Sequence, residues 1–434
     1  MSKLSERDKK NIWHPYTQHK LNPDSIGIVK GKGAYLYDDK GKKYIDALSS
    51  WWTCTHGHSH PHIAKKISAQ LKKLEHVIFA GFTHQPAVEL AECLLKKLPK
   101  NQKKIFFSDN GSTAVEVALK ISFQYWHNKG TPKTKIIAFK NAYHGDTFGA
   151  MAVSERGAFT KPFQSNLFDV VFIDAPLKGK EKEAINDFKS QISNLKSQIS
   201  SFIFEPILQG VAGMVIHDAD ALSEMISICR QNAIFTIADE VFTGFGRTGK
   251  FFACDYLSEK PDMVCLSKGL TGGTMAMGVT SSTEEIFKAF LSEDRMKTFF
   301  HGHSFTANPV ACSAALASMD LMTKKETWKN IKRIEKRHKK FETIIQHSAF
   351  SIQNKIQEMR LLGVILAIEL KTKKETSYFN PLGNKATIFF LDKGILMRPL
   401  GNVIYLVPPY CISNKDLDYM YASILEFIEA STQS

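Results

Sequence analysis

The segment DMVCLSKGLTGG, which spans residues 262–273, carries the pattern that decides the fold. Its apolar run Met263–Leu266 ends abruptly at Ser267 and Lys268, and a glycine-rich turn follows. In α/β proteins, ligands bind at the carboxyl ends of buried strands. A lysine at such a strand end indicates function, because removing an ammonium group from water is unfavourable.

Other short apolar runs have the same character, and segments with helical periodicity separate several of them, such as residues 112–130 and 221–232. This alternation is typical of an α/β fold with crossover helices. Because several runs are apolar throughout, we expect a mainly parallel sheet that is buried on both faces. The predicted strands are residues 103–108, 135–139, 169–173, 201–205, 234–240 and 262–267.

The two ends of the chain differ from this central part. Residues 28–46 predict a hairpin with a turn at Asp39–Gly41. From about residue 331, a charged helix, strands near residues 363–370 and 403–409, and a final helix follow. We therefore predict a large domain over residues 49–330 and a smaller α+β domain built from residues 1–48 and 331–434.

The composition is that of a globular protein, since 43% of the 434 residues are hydrophobic and 23% are charged. No apolar run approaches the roughly 20 residues of a membrane helix, and the polar N-terminus lacks the apolar centre of a signal peptide. The seven cysteines are dispersed without a C-x-x-C pair, which fits a reducing compartment. We therefore expect a cytoplasmic protein without a membrane partner.

The net charge of +14 raises the alternative of a non-enzymatic protein that binds nucleic acid. Lysines are, however, spread over much of the chain, and a glutamate interrupts even the basic run KRIEKRHKK at residues 332–340. The sequence contains no helix-turn-helix, zinc-finger or ribonucleoprotein motif. A lysine-rich solvated surface explains the charge, and we expect no nucleic-acid partner.

Two predicted strand ends carry groups that suit a planar, phosphorylated ligand. After residues 103–108, the turn Asn110–Thr113 opens a helix, whose free backbone N–H groups and dipole attract phosphate. An ordinary N-terminal cap explains the same residues equally well. After residues 135–139, Tyr143 could stack on a ring, although loop packing is the simpler explanation of that residue alone.

Two further strand ends carry opposite charges. Asp239 either joins a structural salt bridge or pairs with a protonated ring nitrogen. Lys268, on the next strand, can form a Schiff base with an aldehyde if a cleft lowers its pKa. A phosphate cradle, a stacking aromatic ring, an acid and such a lysine are together what pyridoxal 5'-phosphate requires. The four strand ends jointly predict this cofactor.

Two other motifs suggest different ligands. Residues 244–249, GFGRTG, match the G-x-G-x-x-G pattern of dinucleotide-binding proteins, but no long helix follows before Pro261, which argues against a nicotinamide site. Alternating histidines in the stretch HGHSHPH could share a metal ion; they are His56, His58, His60 and His62. Pro61 interrupts this run and no acidic or cysteine ligand completes it, so we expect no metal.

Residues 238–273, ADEVFTGFGRTGKFFACDYLSEKPDMVCLSKGLTGG, closely resemble the central motif of class III pyridoxal-phosphate aminotransferases. Further motifs extend the resemblance over nearly the whole chain, to the branch of the family that aminates 8-amino-7-oxononanoate in biotin biosynthesis. WHPYT and SSWW are far more specific than the lysine motif. The matching segments are WHPYT (13–17), SSWW (49–52), QYWHNKG (124–130), YHGDTFGAM (143–151), EPILQG (205–210), HGHSFTANPVAC (301–312) and RPLGNVIYLVPPY (398–410).

The resemblance implies a fold-type I protein, similar in fold to aspartate aminotransferase, that forms a homodimer with active sites at the subunit interface. Its implied catalytic residues are the Schiff-base lysine Lys268, Asp239 at the pyridine nitrogen, and Tyr143, which stacks on the ring. Gly111 and Ser112 would bind the phosphate, and Ser304, with His303 beside it, would reach the phosphate of the other subunit. The implied substrate site consists of Tyr16, Trp51, Trp52, Tyr143, Arg247, Lys268, Gly302 and Arg398.

The resemblance also implies a ping-pong reaction in which 8-amino-7-oxononanoate becomes 7,8-diaminononanoate. The usual amino donor of this branch is S-adenosylmethionine, and lysine replaces it in some members. The aromatic residues of the substrate site and TGGTM (271–275) favour S-adenosylmethionine, whereas HGHSFTAN (301–308) resembles a lysine user. Another class III ω-amino acid aminotransferase is the remaining alternative.

Overall fold

A seven-stranded sheet forms the centre of the protein in the computed structural model, which describes residues 2–21, 24–195, 197–374 and 376–431. The strands, in chain order, are β1 (Ile28–Lys32), β2 (Tyr35–Asp38), β3 (Lys43–Asp46), β4 (Gln102–Ser108), β5 (Lys135–Phe139), β6 (Val170–Ile173), β7 (Ile199–Phe204), β8 (Leu208–Gln209), β9 (Val215–Ile216), β10 (Phe235–Asp239), β11 (Met263–Leu266), β12 (Gly278–Thr283), β13 (Ile356–Leu362), β14 (Ile365–Leu370), β15 (Ile395–Leu396) and β16 (Val403–Leu406). The α-helices are α1 (Lys3–Asn11), α2 (Ser49–Trp52), α3 (Pro61–Leu71), α4 (Gln85–Leu95), α5 (Gly111–Asn128), α6 (Phe148–Ala152), α7 (Glu181–Leu195), α8 (Ala219–Gln231), α9 (Glu284–Lys288), α10 (Pro309–Met322), α11 (Lys325–Gln346), α12 (Phe350–Gln353), α13 (Leu382–Asp392) and α14 (Asn414–Ala430). Within these described segments, no helix is long and apolar enough to cross a membrane.

The central sheet has the strand order β4-β12-β11-β10-β7-β5-β6. Neighbouring strands from β11 to β6 pair in parallel, whereas β12 runs antiparallel to both β11 and β4. The predicted α/β fold with a mainly parallel sheet is confirmed, and all six predicted strands lie in this sheet. The prediction lacked β12 because its sequence, GVTSST, combines glycine with small hydroxyl side chains, although the strand is almost entirely buried.

Helices cover both faces of the central sheet, which explains why its parallel strands are apolar throughout. On one face, Val115 of α5 shares a core with Ile136 and Ile237 of the strands. On the other face, Phe188 of α7 packs against Phe202 of β7, with rings 5.0 Å apart. The loops at the carboxyl edge of the sheet remain between these helical layers, where α/β proteins bind their ligands.

The two ends of the chain meet in a second sheet, of order β1-β2-β3-β15, in which β3 pairs in parallel with β15. The predicted turn at Asp39–Gly41 joins β2 to β3 and is confirmed. A further tight turn at Gly33, where φ is +58°, divides the first predicted strand. Residues 28–46 therefore form three strands rather than a single hairpin.

A third sheet, of order β13-β14-β16, and the helices α11 and α14 build the C-terminal part. The charged helix α11 begins at Lys325 rather than near residue 331. Ile334 and Phe341 of α11 share one core with Ile45 of β3 and Tyr421 of α14. Segments from both chain ends thus pack together, and the domain boundaries at residues 48 and 330 stay a prediction.

A close backbone contact joins the C-terminal part to the loop that follows β10. Gly363, in the turn between β13 and β14, has a φ of +59° and lies directly against Thr248 and Gly249. The neighbouring Val364 N–H donates to the carbonyl oxygen of Arg247 at 3.0 Å. A side chain at residue 363 would enter the space that the backbone of this loop occupies.

We expect the substitution Gly363→Ala to destabilise the protein strongly. Its Cβ would lie 2.3 Å from the backbone nitrogen of Gly249 and 2.3 Å from the carbonyl carbon of Thr248, so the two segments would have to separate. Overpacking and left-handed strain together should lower the free energy of unfolding by about 3 kcal/mol, measured by urea denaturation.

Gly41→Ala is the matched control for this prediction. The φ of Gly41 is +82°, but no atom lies within 4 Å of the added Cβ. Only the backbone strain then remains, and we expect a loss of about 1 kcal/mol. Equal losses in the two variants would show that the contact at Gly363 contributes nothing.

Candidate active site

A cavity of about 450 Å³ opens at the carboxyl edge of the central sheet. Loops that follow β4, β5, β7, β10 and β11 form most of its wall, so the polar strand ends meet there. The structure brings together the predicted residues Gly111, Ser112, Tyr143, Asp239 and Lys268. The same wall includes Trp52, Asn110, His144, Gly145, Glu205, Val241 and Phe242.

Asp239 is the acidic group of this first cavity, and only 5% of the residue is exposed. The Nδ1 of His144 donates to its Oδ2 at 2.7 Å, and the backbone N–H of Val241 donates to its Oδ1 at 3.0 Å. A buried carboxylate needs such donors because it has lost its hydration. The two contacts fix the direction of the Asp239 side chain on the cavity wall.

Two further buried carboxyl groups lie near Asp239. Glu205 lines the cavity, and burial raises its pKa to about 7, an effect that His144 opposes and Asp239 reinforces. Glu240 does not line the cavity, since it accepts a hydrogen bond from the Thr243 hydroxyl at 2.6 Å within the following turn. Of these two adjacent acids, Asp239 therefore belongs to the site, whereas Glu240 stabilises the turn that follows β10.

Lys268 begins a short 3₁₀ turn directly after β11 and has a φ of +45°. This left-handed conformation is unfavourable for a residue with a Cβ, and such strain is concentrated at functional sites. The Nζ lies 4.8 Å from the ring centre of Trp52 and 5.6 Å from that of Phe242. Burial lowers the pKa of Lys268 to about 8, although Asp239 and Glu205 oppose the shift. The uncharged amine, which is the nucleophilic form, is therefore accessible near pH 8.

The N-terminus of α5 forms another wall of the first cavity. Asn110 caps the helix by accepting a hydrogen bond from the Thr113 N–H at 3.0 Å, whereas the N–H groups of Gly111 and Ser112 have no acceptor among the described residues. Gly145 passes so close that a Cβ on it would lie 2.0 Å from the Oγ of Ser112. Two free N–H groups at the positive end of a helix bind anions such as phosphate.

A second cavity, of about 370 Å³, shares Trp52, Tyr143 and Lys268 with the first. Aromatic side chains dominate its wall, namely Tyr16, Trp51, Trp52, Tyr143, Phe159, Tyr378 and Tyr405. The ring of Tyr16 meets those of Trp51 and Phe159 edge-on, with centroids 5.8 Å and 5.7 Å apart. Such a wall suits an apolar or planar ligand.

Tyr16 and Tyr143 contribute their hydroxyl groups to the junction of the two cavities. The two oxygens lie 3.0 Å apart, and both hydroxyls bond to the Oδ2 of Asp146. Burial and the adjacent Asp146 carboxylate raise the pKa of both phenols well above 10, although the hydrogen bond with Tyr143 partly opposes the shift at Tyr16. The two side chains therefore remain protonated over the physiological pH range and can donate hydrogen bonds.

Arg398 supplies the positive charge of the second cavity. Its Cζ lies 5.0 Å from the ring centre of Trp51, and its Nη2 donates to the hydroxyl of Tyr378 at 2.8 Å. No carboxylate of the described residues forms an ion pair with it. The cation is therefore available to an anionic group of a ligand.

The two adjacent tryptophans lie in a strained segment, since three of residues 49–52 have a φ between 51° and 64°. Asp46 secures this segment by accepting hydrogen bonds from the Ser50 N–H and the Nε2 of His58, each at 2.7 Å. Burial alone lowers the pKa of His58, but the hydrogen bond to Asp46 and the adjacent Cys54 outweigh it and raise the pKa to about 10. A charged His58 thus helps Asp46 to hold the strained segment in place.

Four predicted site residues line neither cavity, and they are Arg247, Gly302, His303 and Ser304. Arg247 is 1% exposed and donates to the Ser49 hydroxyl and the Trp52 carbonyl, each at 3.1 Å. Arg247 therefore stabilises the strained segment of residues 49–52 and faces neither cavity. The loop at residues 302–304 lies on the surface, and its role in binding stays a prediction.

Three histidines of the alternating motif bond to other side chains of the protein. His56 contacts the Ser318 hydroxyl at 3.1 Å, His58 bonds to Asp46, and His62 bonds to Asp320. Across the described part of the chain, no three His, Cys, Asp or Glu side chains are grouped to hold a metal ion. Residues 244–249 form a turn before the short 3₁₀ helix Ala253–Tyr256, and they do not open a long helix.

Three wall residues, His144, Glu205 and Tyr378, are not among the site residues predicted from the sequence. His144 lies in the turn after a predicted strand and Glu205 is the last residue of another, so the rule that selects Asp239 and Lys268 would also have found them. Tyr378 follows the polar segment at residues 371–377 and no predicted strand end lies beside it. No local pattern marks that residue.

Comparison with known proteins shows close relatives over the whole chain. The family described as aminotransferase class-III matches residues 16–428. The adenosylmethionine-8-amino-7-oxononanoate aminotransferase of Synechococcus elongatus is 43% identical over 428 residues, which cover 96% of this chain and 98% of the relative.

Solved structures are similar as well. The crystal structure of the adenosylmethionine-8-amino-7-oxononanoate aminotransferase from Methanocaldococcus jannaschii has a TM-score of 0.92 and 36% identity over 99% of both chains. An amine transaminase from an uncultivated Pseudomonas species, in a pyridoxal-phosphate-bound form, has a TM-score of 0.88 and 27% identity, covering 96% of this chain and 98% of that one.

We expect Lys268 to react with a carbonyl reagent as an amine of pKa about 8. Only the uncharged amine attacks a carbonyl, so its rate should rise between pH 6 and 9 with a midpoint near 8. The measurement is the modification of Lys268 in cofactor-free protein by a small aromatic aldehyde, trapped with borohydride and quantified by peptide mass spectrometry. The exposed lysines of the same digest serve as the internal reference. If the modification rate of Lys268 rose with pH in the same way as theirs, the result would contradict the lowered pKa.

Proposed function

The chain belongs to the class-III aminotransferases, and from this premise we propose that it transfers an amino group from S-adenosylmethionine to 8-amino-7-oxononanoate. The product would be 7,8-diaminononanoate in the biosynthesis of biotin. The predicted family, fold type and aminotransferase activity are confirmed. The observation that carries the proposed acceptor is the unpaired Arg398 on an aromatic wall that leads to Lys268.

Pyridoxal 5'-phosphate is the cofactor of this class of enzyme, and the first cavity fits it. The free N–H groups of Gly111 and Ser112 suit its phosphate, and Asp239 suits its ring nitrogen. Lys268 offers an amine of lowered pKa for its aldehyde. Gly111 also lets Val241 pack closely against this end of α5, because a Cβ on residue 111 would lie 2.7 Å from the side chain of Val241.

When bound, the cofactor supplies an aldehyde that accepts amines and a ring that accepts electrons. In our proposal, Lys268 would be its covalent attachment point, and the Nζ, once the donor amine has displaced it, would carry the proton that leaves the α-carbon of the donor. Asp239 holds a proton on the ring nitrogen, because His144 and the Val241 N–H fix its carboxylate in that direction. Tyr143 covers the ring and excludes water from one face.

The second cavity suits the proposed acceptor, which is a long aliphatic chain with a carboxylate at one end. Trp51 and Trp52 offer apolar surface to the chain, and Arg398 offers charge-assisted hydrogen bonds to the carboxylate. The hydroxyl oxygens of Tyr16 and Tyr143 lie at the junction near Lys268 and can accept hydrogen bonds from the amino group of the acceptor, since their own protons are donated to Asp146. The same aromatic rings suit the adenine and the sulfonium cation of the donor.

We also propose that the enzyme works as a homodimer in the cytoplasm. Large apolar side chains that are at least 60% exposed suggest a surface for a second copy, and they include Ile78, Phe82, Phe300 and Phe305. Residues 302–304 lie between two of these phenylalanines, so Ser304 and the adjacent His303 would reach the phosphate site of the other subunit. Every cysteine of the chain is free, which fits a reducing compartment.

We expect Lys268→Ala to lower turnover by about 10⁴-fold or more, because the cavity then lacks both its nucleophilic amine and its proton carrier. The variant should also lose the cofactor adduct that borohydride fixes to the wild-type protein, as seen by mass spectrometry. Lys336→Ala, on the exposed side of α11, is the control and should retain wild-type activity. Near-normal turnover by the Lys268 variant would contradict the assignment.

We expect S-adenosylmethionine to aminate the holoenzyme at least about tenfold faster than lysine does. The measurement is the single-turnover change in the absorbance of the cofactor when each amine is added without an acceptor. Subsequent addition of 8-amino-7-oxononanoate should restore the original spectrum. A response to lysine alone would reverse the donor, whereas a response only to ω-amino acids would favour the alternative aminotransferase.

A further inference from the structure

Tyr378 lies at the rim of the second cavity, in the segment between β14 and α13. Its ring is half-buried among other aromatic rings, with centroids 5.0 Å from Phe159 and 5.3 Å from Phe379. Phe159 in turn packs against Tyr16. The ring of Tyr378 is therefore held from two sides, which gives its hydroxyl group a defined position.

The hydroxyl of Tyr378 accepts a hydrogen bond from the Nη2 of Arg398 at 2.8 Å. The guanidinium of Arg398 also lies over the ring of Trp51, with its Cζ 5.0 Å from the ring centre. The aromatic contact restrains the plane of the guanidinium, and the hydrogen bond restrains its rotation within that plane. Two contacts of different geometry thus fix a side chain that is otherwise long and flexible.

Both contacts leave the charge of Arg398 uncompensated. A carboxylate in the position of Tyr378 would orient the guanidinium equally well, but it would also compete with an anionic ligand. A phenol hydroxyl occupies one N–H and carries no charge, so the remaining N–H groups and the full positive charge stay available. Tyr378 therefore combines orientation with charge retention.

We propose that Tyr378 is a positioning residue that orients Arg398 for the terminal carboxylate of the acceptor and so determines the preference for an acid over an uncharged analogue. This inference rests on the proposed function, because it assumes an acceptor that carries its carboxylate at the end remote from the reacting ketone. It adds a residue to the substrate site that none of the sequence motifs contains.

The test compares 8-amino-7-oxononanoate with its methyl ester in the holoenzyme and in the variant Tyr378→Phe. In a ping-pong reaction, kcat/KM for the acceptor reports the acceptor half-reaction alone, so the carboxylate of the donor does not enter the comparison. Phenylalanine keeps the ring and its packing and removes only the hydroxyl.

We expect the ratio of kcat/KM for the acid to that for the ester to fall by about tenfold in Tyr378→Phe, mainly through the KM of the acid. Arg398→Met marks the lower limit of that ratio. Tyr419→Phe is the matched control, because it removes the same hydroxyl from a tyrosine that lines neither cavity and donates to the Lys393 carbonyl oxygen at 2.9 Å, and it should leave the ratio unchanged. A role in packing alone would weaken acid and ester equally.

An unchanged acid-to-ester ratio in Tyr378→Phe overturns the proposal, and so does an equal fall in Tyr419→Phe or equal use of acid and ester by the wild-type enzyme. Failure of the underlying function has a different signature. In that case the wild-type enzyme itself fails to aminate 8-amino-7-oxononanoate.

Discussion

The hydrogen bond between His144 and Asp239 is the interaction on which the arrangement of the site depends. The strands that precede these residues, β5 and β10, are not neighbours in the sheet, since β7 lies between them. The bond at 2.7 Å therefore ties two loops together across the end of β7. Glu205, at that end, accepts a hydrogen bond from the Tyr143 N–H at 3.3 Å and completes the connection. These contacts hold the backbone of Tyr143 and His144 at the carboxyl ends of β7 and β10.

The burial of several charges in this small space also sets the reactivity of Lys268. Two carboxyl groups, Asp239 and Glu205, favour the charged amine, whereas burial and the positive charge of Arg247 favour the neutral one. Burial raises the pKa of Glu205 to about 7, so that this second carboxyl is partly neutral at physiological pH. Burial outweighs the two carboxyl groups, so the pKa of Lys268 lies near 8 instead of near 10.5. The buried position of Lys268 therefore decides its protonation more than its charged neighbours do.

The sequence alone predicts the parts of the molecule that local physics determines. Buried parallel strands have long apolar runs and abrupt polar ends, so Asp239 and Lys268 can be found from the pattern. β12 has neither feature, because its buried side chains are small and polar. Phe159 and Tyr378 reach the second cavity from segments more than 200 residues apart, and no periodicity connects them. Such residues are determined by how the C-terminal part packs against the sheet, which a pattern of local propensities does not contain.

Arg247 and Arg398 illustrate this limit most directly, because both stand in motifs that suggest contact with substrate. Arg247 is fully enclosed and directs its guanidinium at the carbonyl of Trp52 and the hydroxyl of Ser49, so its hydrogen bonds serve the protein itself. Arg398 donates to a single phenol and lies over an aromatic ring at the edge of open space. The two arginines are therefore connected through the segment of residues 49–52. The buried arginine holds the strained segment of residues 49–52, that segment presents Trp51, and Trp51 supports the arginine that is left free to meet an anion.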